Sequence, residues 1–308
     1  MTSAAITVTA PSDIPEVTES TDLTDLIAGH LDLRDGDIVV VTSKVVSKAE
    51  GRVVTGDRDA LIAAETVEVI ARRDNTLITR SASGLVQAAA GVDGSNVPAG
   101  TVVLLPQDPD ESARRLRTGL AARANVAVIV TDTAGRAWRV GQTDIAIGAA
   151  GIQVLDSYAG RTDAFGNTLA VTAPAVADEL AGAAELVKTK LSRRPVALVR
   201  GLGERVLPPG QHGPGAIALV RPRREDMFAL GAREAVLAAV RGDNLDSFGA
   251  PVSAEELIAQ LTALGATVIA SGADVEVVNG AETHRIAAHA LGWRSATVTD
   301  GRLRLTAR

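Results

Sequence analysis

Two stretches of the chain are apolar at every position, and each runs straight into hydroxyl and charged residues. Ile38 to Val41 leads into Thr42-Ser43-Lys44, and Val126 to Val130 leads into Thr131-Asp132-Thr133. Unbroken runs of this length predict strands covered on both faces. Loops that follow buried strands are common places for chemistry. Further strands are expected at Ile6 to Thr9, Thr76 to Thr79, Val102 to Leu105 and Pro195 to Arg200. Helical spacing predicts helices over Leu23 to Leu31, capped by Thr21 or Asp22, and over 59–73, 110–122, 175–191 and 226–240. Gly135 to Gly148 mixes Gly, Arg and Trp and forms no clean pattern. Gly201 to Pro214 is rich in Gly and Pro and reads as loop.

Gly249-Ala250-Pro251 reads as a boundary. It divides the chain into residues 1–248 and a small α/β appendage, 249–308. The appendage is expected to hold helices at Ser253 to Leu264 and Glu282 to Ala290, with four short strands around them.

Composition narrows the chemistry. The chain has 308 residues and no cysteine, which removes disulfides, thiolate metal sites and cysteine nucleophiles together. A net charge of −6 argues against nucleic acid as a partner, and no apolar run is long enough to cross a membrane. No basic start followed by an apolar stretch opens the sequence, so the expected location is the cytoplasm. Four lysines stand among twenty-seven arginines, as the pairs Lys44/Lys48 and Lys188/Lys190. They are either ammonium groups kept for a phosphate or solvated survivors.

Three segments carry candidate chemistry, each open to two readings. Gly91-Val92-Asp93-Gly94-Ser95-Asn96 is either an Asx-type turn or a set of oxygen donors for a hard cation. Asp132, between two threonines at a strand end, is either a cap or a metal or phosphate ligand. Arg136 and Arg139 around Trp138 either clamp an anion or pack on the indole. Together they describe phosphoryl transfer: carboxylates for metal, Lys and Arg for phosphates, and glycines for close approach.

In order along the chain, Val40 to Lys48, Ala90 to Val97, Thr131 to Arg139, Val176 to Leu180 and Glu185 to Lys188 resemble the coenzyme F420-0:L-glutamate ligase family. The likeness is to the N-terminal ligase domain of actinobacterial F420 biosynthesis proteins and spans roughly residues 8–245. It implies an α+β fold, an intertwined homodimer, and addition of L-glutamate to F420-0 with GTP and Mg²⁺ or Mn²⁺ at a two-metal site, through an acyl phosphate. By the same resemblance Asp93, Asp132 and Thr133 are metal ligands, with Glu204 a further one. Ile14, Pro15, Glu16, Val17, Ser43, Lys48 and Asn96 line the GTP site, under a closing loop at Gly201 to Gln211. Lys48 and Lys44 neutralise moving charge, and Arg136 and Arg139 hold the anionic substrates. Val140 and Ser83 depart from residues common in relatives. The appendage is too short for the flavin-dependent domain of the longer members, so no FMN is expected. Competing readings are a non-catalytic F420- or nucleotide-binding protein, and an amide ligase acting on another phosphate-containing acid.

Overall fold

The structure is a computed structural model and describes residues 5–95, 97–298 and 301–307. The chain forms two compact units. The first comprises residues up to Glu68 together with Thr79–Val220, the second Val69–Ile78 and Arg221–Arg308.

The first unit is built on a five-stranded sheet in the order Thr7–Thr9, Val196–Arg200, Ile38–Thr42, Ala127–Arg136, Arg139–Ala150. Only Ile38–Thr42 and Ala127–Arg136 run parallel; the other pairs are antiparallel. The apolar runs are indeed the central strands, and the pleat divides them. Val39, Val41, Val128 and Val130 enter one core with Ile27, Val46, Leu116 and Leu120 from the helices Leu23–His30, Ser43–Ala49 and Pro109–Leu120. Ile38, Val40, Ala127 and Ile129 enter the opposite core, packed on Ala177, Leu180 and Ala184 of the helix Val176–Lys188. A sheet covered on both faces by helices buries its middle strands completely.

Two expectations are corrected. The helix foreseen over 59–73 spans only Arg58–Glu65, and Thr66–Arg73 is a strand. Thr66, Val67, Val69 and Ile70 are β-branched, and that local preference overrode the helical spacing. The segment 135–148, patternless in sequence, belongs to a long hairpin of Ala127–Arg136 and Arg139–Ala150. Its turn places Trp138 at φ +60°, a conformation that costs a bulky residue energy.

In the second unit an antiparallel sheet runs in the order Val268–Ser271, Asp274–Val277, Arg302–Thr306, Arg294–Val298. The helices Ala254–Ala263 and Glu282–Ala290 cover it through Leu257, Leu261 and Ala288, against Val275, Val277, Trp293 and Leu305. The helix Ala232–Arg241, upstream of Gly249, goes with this unit. Its last carbonyls, of Ala239 and Val240, accept hydrogen bonds from Arg285. No helix among the described residues is long and apolar enough to cross a membrane.

Candidate active site

Where Ile38–Thr42 ends and Ala127–Arg136 leaves the core, the register of the hairpin shifts between Val130 and Thr131. A bulge at that point re-aims the side chains that follow it. Thr131 and Thr133 then face one way and Asp132 the other. Thr131 and Thr133 both donate to Asp144, at 2.9 and 3.0 Å. Asp132 instead accepts from Ser43 Oγ at 3.2 Å and from Gln87 Nε2 at 2.7 Å.

Asp132 is a half-buried carboxylate that none of these contacts neutralises. Burial pushes its pKa up to about 6, against the pull of the hydrogen bonds from Gln87, Ser43 and the Thr133 backbone, and the charge of Asp144 adds to the rise. Asp93 is different. Burial also pushes it up, but hydrogen bonds from Lys44 and Ser95 prevail and hold its carboxyl below the usual range. Lys44 Nζ lies 2.6 Å from Asp93 Oδ2 and donates to the carbonyl and hydroxyl of Ser95.

The backbone delivers Asp93 by force. Ala89, Ala90 and Gly91 all have positive φ, at 52°, 54° and 71°. A Cβ on Gly91 would come within 2.5 Å of Leu105 Cδ1. Two alanines in this conformation are strained, and the surroundings must hold them there. Beyond the turn, the Asp93 backbone exchanges two hydrogen bonds with Val103, of 3.0 and 2.8 Å, which fixes the carboxylate beside Lys44.

These groups open on one cleft of about 410 Å³. Ile14 to Val17 form one side of it, with Lys48 Nζ 2.5 Å from Glu16 Oε1. Asp93, Asp132, Thr133 and Lys44 also line it, and Ser43 reaches it through Asp132. At the far end the buried Lys188 donates to Asp144 and Thr131, both at 2.8 Å. Glu185, 3.9 Å from Lys188, has its pKa raised by burial and by the charge of Asp144.

Several expected residues lie elsewhere. Arg136 and Arg139 sit at the exposed tip of the hairpin, where Arg136 donates to the Val140 carbonyl. Glu204 is exposed beside Arg205 and does not line the cleft. The segment 201–211 does not line it either. Arg117 binds the carbonyls of Leu207, Pro208 and Gln211. Asn96 lies outside the described residues. Three site residues had no sequence assignment: Gln87, Asp144 and Lys188. Lys188 belonged to a conspicuous lysine pair. Asp144 and Gln87 carried no local signal, since each gains its meaning from a strand pairing or a contact made far along the chain.

Among the described residues no group of three or more His, Cys, Asp or Glu is placed to hold a metal ion. The carboxylates of Glu16, Asp93, Asp132, Asp144 and Glu185 line the cleft with the Thr133 hydroxyl, beside the ammonium groups of Lys44, Lys48 and Lys188. Carboxylates and ammonium groups facing one cleft can hold cations and anionic groups side by side.

Comparison with known proteins agrees. The sequence pattern described as F420-0:Gamma-glutamyl ligase matches residues 12–201. A coenzyme F420:L-glutamate ligase of Halobacterium salinarum is 40% identical over 203 residues, covering 58% of this chain and 79% of the relative. One from Methanopyrus kandleri is 39% identical over 233 residues, covering 67% and 91%. The chain belongs to the F420-0:gamma-glutamyl ligase family and is a ligase.

Proposed function

We propose that this ligase joins the amine of L-glutamate to a carboxyl group of coenzyme F420-0, with GTP as phosphoryl donor and Mg²⁺ or Mn²⁺ as the accompanying cation. The observation that carries the reading is the convergence of Asp93, Asp132, Lys44 and Lys48 from separate segments on one cleft.

A carboxylate resists attack by an amine because its leaving group would be oxide. In the proposed reaction a carboxylate oxygen of F420-0 attacks the γ-phosphorus of GTP, and the bond to the β–γ bridging oxygen breaks. GDP and an acyl phosphate result. The glutamate amine then attacks the acyl carbon, the C–O bond to phosphate breaks, and the nitrogen loses a proton as the amide forms. Lys48 and Lys44 neutralise the charge that gathers on the phosphates.

The donor set fits a divalent cation. Asp132 is a half-buried carboxylate whose side-chain partners, Ser43 and Gln87, are neutral, and Thr133 also lines the cleft. Mg²⁺ usually takes one or two carboxylates and completes its shell with substrate phosphates and water. Asp132 would hold it, with Asp93 joining as Lys44 swings to a phosphate, and Thr133, which faces Asp144, would serve a second cation. When bound, the cation would draw charge from the phosphoryl oxygens.

The test is product analysis by mass spectrometry from F420-0, GTP, Mn²⁺ and L-glutamate. The expected product is heavier by one glutamyl residue, with one GDP and one phosphate released per bond. GTP consumption without a new amide would overturn the reading.

A further inference from the structure

The second unit has a cleft of its own, of about 970 Å³, and it is basic. Arg223, Arg241, Arg285 and Arg294 line it, against the carboxylates of Asp246 and Glu282. Glu282 is already taken. Arg285 Nη2 lies 2.6 Å from it and also donates to the Val240 carbonyl at 2.5 Å. The Arg241 and Arg294 side chains have neither a hydrogen bond nor an ion pair among the described residues.

Guanidinium groups around a concavity differ from the same groups on a convex face. The low-dielectric walls focus their field, so an anion gains more there than on an open surface. Each planar fork matches a carboxylate or a phosphate in two-point contact. The chain as a whole carries −6, so this concentration of positive charge runs against its average.

The lining also selects among anions. It includes no Phe, Tyr or Trp, and its one ring, His289, is buried, so no exposed ring offers itself for stacking a nucleotide base. Its volume exceeds what one phosphate or one carboxylate fills. Several arginines around one hollow of this size suit a chain of anionic groups. His289 is buried in the wall, with Nε2 2.8 Å from the Asp243 carbonyl.

We infer that this cleft binds a γ-linked oligoglutamate, the polycarboxylate that repeated amide formation would build. The inference rests on the proposed ligation, which adds one carboxylate with each glutamate joined. The arginines then retain a product that gains negative charge as it grows.

The experiment is calorimetric titration of the full chain with synthetic γ-linked triglutamate, beside the double variant Arg241→Glu, Arg294→Glu. Neither side chain has a partner among the described residues, so circular dichroism and single-glutamate ligation should match the parent. Arg241→Gln, Arg294→Gln is the milder second pair. The charge reversal is expected to weaken triglutamate binding about tenfold or more, and added salt should weaken the parent complex too. Equal binding by parent and variant, or none by the parent, overturns the inference while leaving ligation intact. So does displacement of triglutamate by equimolar inorganic phosphate, which would make this a phosphate site. Arginine-dependent binding in a chain that makes no amide would instead sink the proposed reaction and keep the cleft as a polycarboxylate site.

Discussion

Ser43 and Lys44 are neighbours in the chain and hold two different carboxylates. Ser43 Oγ donates to Asp132, and Lys44 Nζ pairs with Asp93. Both sit in the first turn of the helix Ser43–Ala49, which follows Ile38–Thr42 directly. One short turn therefore sets the position of two acids that lie far apart in sequence. Lys44→Met removes the ammonium and leaves Asp93 held by Ser95 alone. Turnover of the proposed reaction, followed as phosphate release, should fall about a hundredfold, with folding unchanged. Ser43→Ala should cost much less, because Gln87 still holds Asp132. Near-normal turnover in Lys44→Met would remove this lysine from the chemistry.

Asp132 gives a prediction with a defined sign. Its folded pKa of about 6 lies above the ordinary aspartate value of 3.8. Between those values the folded protein binds the extra proton, so stability is lost as pH rises through that window. Above it the full cost applies, at most about 3 kcal/mol. Asp132→Asn removes this titration. Its side-chain amide would meet Gln87, which can turn over and offer its unpartnered Oε1. Urea unfolding in chelator should show the variant gaining on the parent from about pH 4 to about pH 6 and levelling off above. Ligation should be abolished. A stability difference that does not vary with pH would show that Asp132 is not the group that titrates.

The Lys188–Asp144 pair carries a larger structural penalty. Both side chains are 3% exposed. Lys188→Met would leave Asp144 charged in the interior with only Thr131 and Thr133 as donors. Losing one member of a buried pair costs about 3–5 kcal/mol. Replacing both, with Lys188→Met and Asp144→Leu, should be milder than Lys188→Met alone, because no charge is stranded. Urea midpoints of the three proteins decide the matter. A double variant as weak as the sum of its parts would mean that the pair is not coupled.

Much of this was legible in the sequence where one segment carries its own signal. Ile38 to Val41 and Val126 to Val130 read as buried strands because each position is apolar, and both central strands lie there. Asp93, Asp132, Lys44 and Lys48 stand out for their residue types and neighbours, and all four line the cleft. What escaped was set by pairing at a distance. The hairpin tip around Trp138 has no apolar rhythm because both its faces are exposed, so a register of backbone bonds defines it alone. Asp144 becomes a site residue only when that hairpin places it beside Thr131 and Thr133. Gln87 does so only when its own strand, Val86–Ala88, brings it to Asp132.

Arg117 decides the state of the segment that the sequence led us to expect over a nucleotide. Its guanidinium is buried, and burial lowers its pKa. Among the described residues no carboxylate answers it. Nε donates to the Val126 carbonyl, Nη1 to that of Gln211, and Nη2 to Leu207, Pro208 and Asn125 Oδ1. Gly151 makes room for it, since a Cβ there would lie 2.1 Å from Arg117 Nε. Gly151 also ties the segment down, donating to the His212 carbonyl and accepting from the Leu207 amide. Arg117→Met would take the donor from the buried Val126 carbonyl, at about 1–3 kcal/mol when unsatisfied, and release the carbonyls of Pro208 and Gln211. The expected result is faster hydrogen exchange at the amides of Leu207 and Gly151, together with a lower urea midpoint. Arg117→Lys keeps the charge but has three donors on one atom, so it reaches fewer carbonyls and should fall between the two. Unchanged exchange at both amides in Arg117→Met would mean that some other contact holds the segment in place.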